Sequence, residues 1–295
     1  MDEVKKPQGP RTFNEKLMSM DRRWVFLVLG IVVIAALLTG IKAPLSITQE
    51  VREVYNFVED LQPGDNLLVA IDYDPNAKAE LHPMAYAILE QALAKKLKVI
   101  TLTLSQNGAG MAEQVVRDVI DSVATYHGFR PEYGKDYVFL GYRPYYALVI
   151  LGMGQNFRIP YPTDYYTTPL DSLPMMQRIQ NYNQVKGVID ITGSNVADAW
   201  VANANGRYGV KVALGLTGVS AADYYPFYQS KQIFGLMGGM KGAAEYEKLT
   251  NNPGLATEAM GVQTYAHLVI IAFIIIGNLG YFLDKRARRQ RGEVA

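Results

Sequence analysis

The sequence predicts an α/β protein: a single doubly wound, mostly parallel-sheet, Rossmann-like domain between two transmembrane helices. Three observations predict it. Two apolar stretches, Trp24–Ile41 and Tyr265–Leu283, bracket the chain. Between them, short and continuously apolar runs alternate with segments of helical period, as in parallel strands covered on both faces. The roughly 220 intervening residues suffice to bury a core without disulfides, and the chain has no cysteine.

Each bracketing stretch is about long enough to cross a hydrocarbon layer of roughly 30 Å at 1.5 Å rise per residue. Charge orients them. Lys5, Lys6, Arg11, Lys16, Arg22 and Arg23 precede the first, and Lys285, Arg286, Arg288, Arg289 and Arg291 follow the second. The inner flanks carry little beyond Lys42, Arg52 and Lys248. Basic excess marks the cytoplasmic side, so the expected protein is a double-pass cell-membrane protein with both termini cytoplasmic and an extracytoplasmic domain. A cleaved signal peptide is the rival reading of the first stretch. Its 23-residue n-region and the Pro44 that would follow cleavage after Ala43 argue against that. The resulting layout is a tail over 1–23, a transmembrane helix over 24–42, and an amphipathic connecting helix over 46–61. The α/β domain covers 62–252, the second transmembrane helix 265–283, and a basic tail 284–295.

The elements follow in order. Pro44 ends the first helix and Ser46 is the expected N-cap of the next. In that helix Ile47, Val51, Val54, Tyr55, Val58 and Leu61 recur at helical spacing. Its apolar face has three candidate seats: the membrane surface, a partner, or, as the simplest expectation, its own domain. Strands are expected over Asn66–Ile71, Val99–Leu104, Tyr137–Leu140, Gly187–Ile191 and Lys211–Leu216. Tyr146–Leu151 reads as a strand or a helix start. Helices are expected over Glu80–Leu97, Met111–Tyr126, Leu170–Gln180, Ala197–Tyr208, Ala221–Lys231 and Gly242–Leu249. A two-lobed domain is the alternative to one sheet. The glycines of IFGLMGGMKGAA, namely Gly235, Gly238, Gly239 and Gly242, read as a tight turn or a helix packed closely on the sheet.

Composition excludes several functions. A net charge of +1 gives no electrostatic basis for nucleic-acid binding. Without cysteine there is no thiolate catalysis and no Cys-ligated metal. Three histidines make a multi-His metal site an unlooked-for feature, so neither a metal nor a cofactor is expected. The basic tails suit anionic lipid headgroups as well as topology.

In an open parallel sheet, ligands bind beyond the carboxyl ends of the strands. Those ends are polar here. They read Asp72-Tyr73-Asp74, Ser105-Gln106-Asn107-Gly108, Gly154-Gln155-Asn156, Thr192-Gly193-Ser194-Asn195 and Thr217-Gly218-Val219-Ser220. If the domain binds a small molecule, Asp72, Asp74, Ser105, Asn107, Asn156, Thr192, Ser194 and Thr217 are expected to converge on it. The competing reading is that these are ordinary capping and turn residues. His82, before Pro83 at a helix start, could join the carboxylates or simply cap.

Asp72-Tyr73-Asp74 after an apolar strand resembles the first motif of the haloacid dehalogenase family. There, two carboxylates act as nucleophile and acid/base around a magnesium ion. Ser105 would stand at that family's second motif. The pattern departs at Pro75 and Asn76, and the required lysine and later acidic pair have no counterpart. Asp190 stands alone inside a strand and Lys186 precedes one. No G-x-S-x-G elbow is present.

Twenty tyrosines is a high count, and they cluster. Tyr161, Tyr165 and Tyr166 sit among prolines in Arg158–Pro174. Tyr224, Tyr225 and Tyr228 flank Pro226. Tyrosines are enriched at interfaces, so these six are expected to form part of an exposed contact surface. The alternative is that they pack their own domain. Three functions compete: a non-enzymatic subunit or scaffold of a membrane complex, an extracytoplasmic small-molecule binding or sensory module, and a hydrolase using Asp72 and Asp74. The first is favoured because two anchors restrict reach and catalytic groups are few. Membrane lipid and a second copy, or other membrane subunits, are the expected partners.

Overall fold

The computed structural model describes residues 21–42 and 44–290. These fall into two compact units, one of residues 44–257 and one of the two terminal stretches.

In the terminal unit, α1 spans Arg22–Thr39. Asp21 caps it by accepting from the Arg23 N–H at 2.9 Å, and Gly40 ends it with a left-handed φ of +58°. The second apolar helix runs from Leu255 to Gln290; it is numbered α9 below. Both are long and apolar enough to cross a membrane, and Trp24, Phe26, Leu38, Ile271 and Phe282 are among the apolar side chains they expose. A Cβ at Gly261 would lie 2.1 Å from the Ile41 carbonyl oxygen, so only glycine permits that approach.

The central unit is built on a six-stranded, all-parallel sheet with helices on both faces. The strands are β1 (Asn66–Asp72), β2 (Lys98–Thr103), β3 (Tyr137–Tyr142), β4 (Gly187–Thr192), β5 (Val212–Leu216) and β6 (Gly235–Gly238). Their order is β3-β2-β1-β4-β5-β6, the doubly wound arrangement with its switch point between β1 and β4. The runs expected to be parallel neighbours are so. Leu68 pairs with Ile100 and with Val188, and Asp190 with Leu214.

Helices α2 (Gln49–Asp60), α3 (Lys78–Ala94), α4 (Ala109–Tyr126), α5 (Tyr146–Gln155), α6 (residues 196–208), α7 (Ala221–Gln229) and α8 (Gly239–Leu249) complete the unit. α6 is α-helical over Val196–Ala199, π-helical over Trp200–Asn205 and α-helical again over Gly206–Tyr208. One sheet face presents Leu68, Ala70, Leu102, Val188 and Leu214 to Val149, Ile150, Met153, Phe157, Tyr161, Trp200 and Tyr224. Each buried aliphatic side chain there contributes roughly 1.5–3 kcal/mol.

Of the two readings of Tyr146–Leu151, the helix start holds: the segment begins α5, entered after Tyr145 at φ +63°, while Gly141 (φ +75°) lies inside β3, where the register with β2 shifts. The structure departs from the sequence expectations at three places. The Leu170–Gln180 helix is replaced by 3-10 turns at Leu170–Ser172 and Met176–Arg178. Pro174 interrupts it, and buried Leu170, Leu173, Met176 and Ile179 recur every three residues. The glycine-rich segment supplies an unexpected sixth strand, β6, and then opens α8, whose Gly242 lies close against Met237 as the closely packed helix reading expects. The N-cap of α2 is Thr48 rather than Ser46, because Glu245 on α8 accepts from both the Thr48 N–H (2.8 Å) and its hydroxyl (2.6 Å). α2 docks on its own domain: Val51, Val54 and Val58 are buried.

Candidate functional site

The carboxyl edge of the sheet is polar, and its groups are largely engaged with one another. Asp72 ends β1 but faces inward, 1% exposed. Its carboxylate accepts the Leu104 N–H and the Trp200 indole N–H, the latter at 3.2 Å. Asp74 lies outside the sheet and accepts the Ser105 hydroxyl. The Thr192 hydroxyl donates to the Asp72 carbonyl at 2.9 Å and touches the Ser194 hydroxyl at 3.1 Å. The Thr217 hydroxyl donates to Ser220 at 3.0 Å. Glu80, from α3, accepts the Gly218 N–H at 2.7 Å.

Of the eight residues expected to converge, Asp72, Thr192 and Ser194 form one chain, Asp74 and Ser105 a second pair, and Thr217 a third group. Asn107 is exposed on the β2 loop. Asn156 does not belong with them. It ends α5, the helix after β3, at the amino edge of the sheet, where its neighbour Phe157 donates to the Gln180 carbonyl at 2.7 Å. The carboxyl ends at the switch point are closely packed. A Cβ at Gly193 would sit 3.3 Å from the Ala77 Cβ and 3.4 Å from Thr217 Cγ2. A groove of about 360 Å³ opens beside it, between the loops after β4 and β5, lined by Ser194, Asn195, Asp198, Ser220, Asp223 and Tyr224.

The strand order invites comparison with dinucleotide-binding domains, but the loop after β1 lacks their glycines and carries two carboxylates. The haloacid dehalogenase resemblance fails on geometry. Asp72 is buried with both oxygens engaged, and no group of three or more His, Asp or Glu that could hold a metal exists among the described residues. A magnesium ion does not fit there.

Sequence reading missed a polar cluster beneath this edge. Asp190 on β4 is 0% exposed, and neither of its carboxyl oxygens meets a donor. The Tyr161 hydroxyl is buried and also unpartnered. Burial raises the pKa of Asp190 well above the carboxylate range, with the adjacent Asp72 charge adding to it. Burial raises Asp72 as well, opposed by its donors Leu104 and Trp200. The signal available in sequence was a lone acid inside the apolar run GVIDI.

Of the six interface tyrosines, two are buried. Tyr161 is fully buried, and Tyr224 is 7% exposed with its hydroxyl donating to Asp198 at 2.8 Å. Their rings fill the core face below α5 to α7. Tyr165 and Tyr166 are exposed and edge-stacked at 5.2 Å, Tyr165 also lying on Phe139. Tyr225 is exposed and Tyr228 half-buried, with hydroxyls that donate to Glu50 and Glu53, both at 2.8 Å.

The geometry defines an α/β domain of the doubly wound class, with two apolar terminal helices. Comparison with known protein families, with curated proteins and with solved structures gave no match.

Proposed function

We propose that this chain is a membrane-anchored, non-enzymatic subunit of a membrane protein complex, with its α/β domain extracytoplasmic and both termini cytoplasmic. One observation carries the reading: the polar groups at the strand ends bond to one another and to backbone, so few remain to bind or transform a substrate. The two apolar helices and their basic outer flanks support the anchoring and the orientation. Tyr165, Tyr166 and Tyr225 supply exposed aromatic anchors of the kind interfaces use. A second copy is the default partner.

Photoreactive residues at Tyr165 and Tyr225, crosslinked in native membranes, test this. The reading expects capture of a second copy or of one defined membrane protein. No crosslink at either position would remove the interface. A reporter fused after Ala295 that is active only outside the cytoplasm would overturn the orientation.

A second reading rests on the groove beside β4 and β5. Its hydroxyls, Asn195 and two carboxylates, Asp198 and Asp223, suit a small polar ligand, and saturable binding lost on Asn195→Ala would favour it.

A further inference from the structure

We propose that Asp72 and Asp190 share one proton, and that this proton is a latch holding the Trp200 segment of α6 against the sheet. Its loss at rising pH frees that segment.

The geometry carries the proposal. Asp190 pairs in register with Ala70. Side chains two apart in a strand share a face, so Asp72 and Asp190 lie on the same face of adjacent strands. Both are buried, and among the described residues neither has an ion-pair partner. The hydrogen bonds are unequal. Asp72 accepts two N–H donors, as an ionised carboxylate does, whereas Asp190 accepts none. A neutral Asp190 that donates its proton to Asp72 gives one of its oxygens a partner and leaves a single charge on the pair, while two adjacent charges in a dry core would not be tolerated.

The other titratable groups around the pair do not supply a neutralising cation. Tyr161 faces it from the segment after α5, with the Arg143 guanidinium 5.1 Å from its ring centre. Arg143 is committed to the carbonyls of Tyr142, Pro160 and Thr163. Tyr182 lies beyond Tyr161. From α7, Tyr224 faces Asp190, with its hydroxyl on Asp198 of α6 and with Asp223 near. Burial and the Asp72 charge both push Asp190 toward its neutral form.

The pair sits between β1 and β4, whose backbones are held by ladder bonds on both sides. The element covering it is α6, and Trp200 opens the π-helical turn of that helix. Such turns interrupt the regular α-helical bonding and often mark functional sites. When the pair loses its proton, two adjacent buried charges need water, and α6, the cover that is not tied into the sheet ladder, parts to admit it at the expense of the indole bond to Asp72.

The sign follows from linkage. The folded state keeps a proton that the unfolded chain loses near pH 4. The stabilisation is fully present at low pH and is lost as pH rises through the folded titration. Trp24 and Trp200 are the two tryptophans, so Trp24→Phe in the full-length, detergent-solubilised protein leaves Trp200 as sole reporter. As pH rises, its emission is expected to shift to the red along a one-proton curve, and the unfolding midpoint to fall. Asp190→Asn keeps a donor toward Asp72 and removes the titration, so both trends are expected to flatten. Identical pH profiles for the two proteins would overturn the proposal. If Asp190→Asn does not fold, the infrared carbonyl stretch of the wild type decides alone: a protonated-carboxyl band at neutral pH that disappears with the red shift supports the latch, and its absence overturns it.

Discussion

Adding one methyl group tests how α2 is seated on the sheet. A Cβ at Gly235 in β6 would lie 2.4 Å from Val54 Cγ2, 3.1 Å from the Glu50 carbonyl oxygen and 3.2 Å from the Val54 nitrogen. Carbon atoms are comfortable at about 3.5–4.0 Å. Two effects oppose each other in Gly235→Ala. Alanine recovers about 0.5–1 kcal/mol of the backbone entropy that glycine loses in a strand. Overpacking costs about 1–3 kcal/mol, toward the upper end here because two of the three atoms are helix backbone and cannot rotate away. The net loss is about 1–2 kcal/mol. For a domain of this size that lowers the melting temperature by about 2–8 °C. Val54→Ala alone removes two buried methyl groups, at about 0.8 kcal/mol each before any cavity term. In that background Gly235→Ala is expected to cost at least about 0.5 kcal/mol less than in the wild type, since the closest contact is gone. Thermal unfolding of the four proteins in mild detergent, followed by circular dichroism, closes the cycle. If Gly235→Ala is neutral or stabilising, or if the two changes simply add, the docking of α2 on β6 is wrong.

Two further outcomes follow from buried polar groups. Glu247 on α8 accepts the N–H groups of Gly254, Ala256 and Thr257 at 2.8–3.1 Å and the Thr257 hydroxyl at 2.5 Å. Glu247→Ala strands these donors at a cost of about 1–3 kcal/mol, and hydrogen exchange is expected to quicken at those amides while the β1 amides stay protected. His82 accepts from or donates to the Tyr73 hydroxyl through Nδ1 at 2.9 Å, and burial and Lys78 lower its pKa, against a smaller opposing effect of Asp118. Its ring resonances are therefore expected to titrate below the ordinary histidine value. Because the folded protein sheds this proton first, the stability contributed by the neutral ring is present above that ordinary value and lost as pH falls through the lowered one. A midpoint at or above the ordinary value refutes the assignment.

What the sequence made legible depends on how local the determining physics is. β1, β2, β4 and β5 are buried along nearly their whole length because both faces are covered, and an apolar run such as NLLVAI announces that without knowledge of its neighbours. β6 does not announce itself. Gly235-Leu236-Met237-Gly238 has glycine where Val54 and Ala221 come close, so its composition is set by tertiary contacts and reads as a turn. Tyr146–Leu151 is apolar at every position and its period cannot separate strand from helix. The turn after β3, with Tyr145 at φ +63° just before α5, decides it, and Asn156 moves to the opposite edge as a result. At the candidate site, the strand-end residues were recognisable as a class, but their bonding to one another was not. Asp72 and Asp190 are 118 positions apart in the chain, and only the β1–β4 register makes them partners. Tyrosine clustering was visible, yet Tyr161 and Tyr165, four residues apart, divide between core and surface.

The central claim, that the chain is one subunit of a membrane assembly, is tested most directly by native mass spectrometry of the protein extracted with its surrounding lipid. The account predicts a discrete, stoichiometric assembly, either several copies of this chain or this chain with one defined membrane protein, that survives dilution and weakens when Tyr165, Tyr166 and Tyr225 are changed to alanine. A single chain at every concentration, with the same result after gentle crosslinking in the membrane, would contradict it.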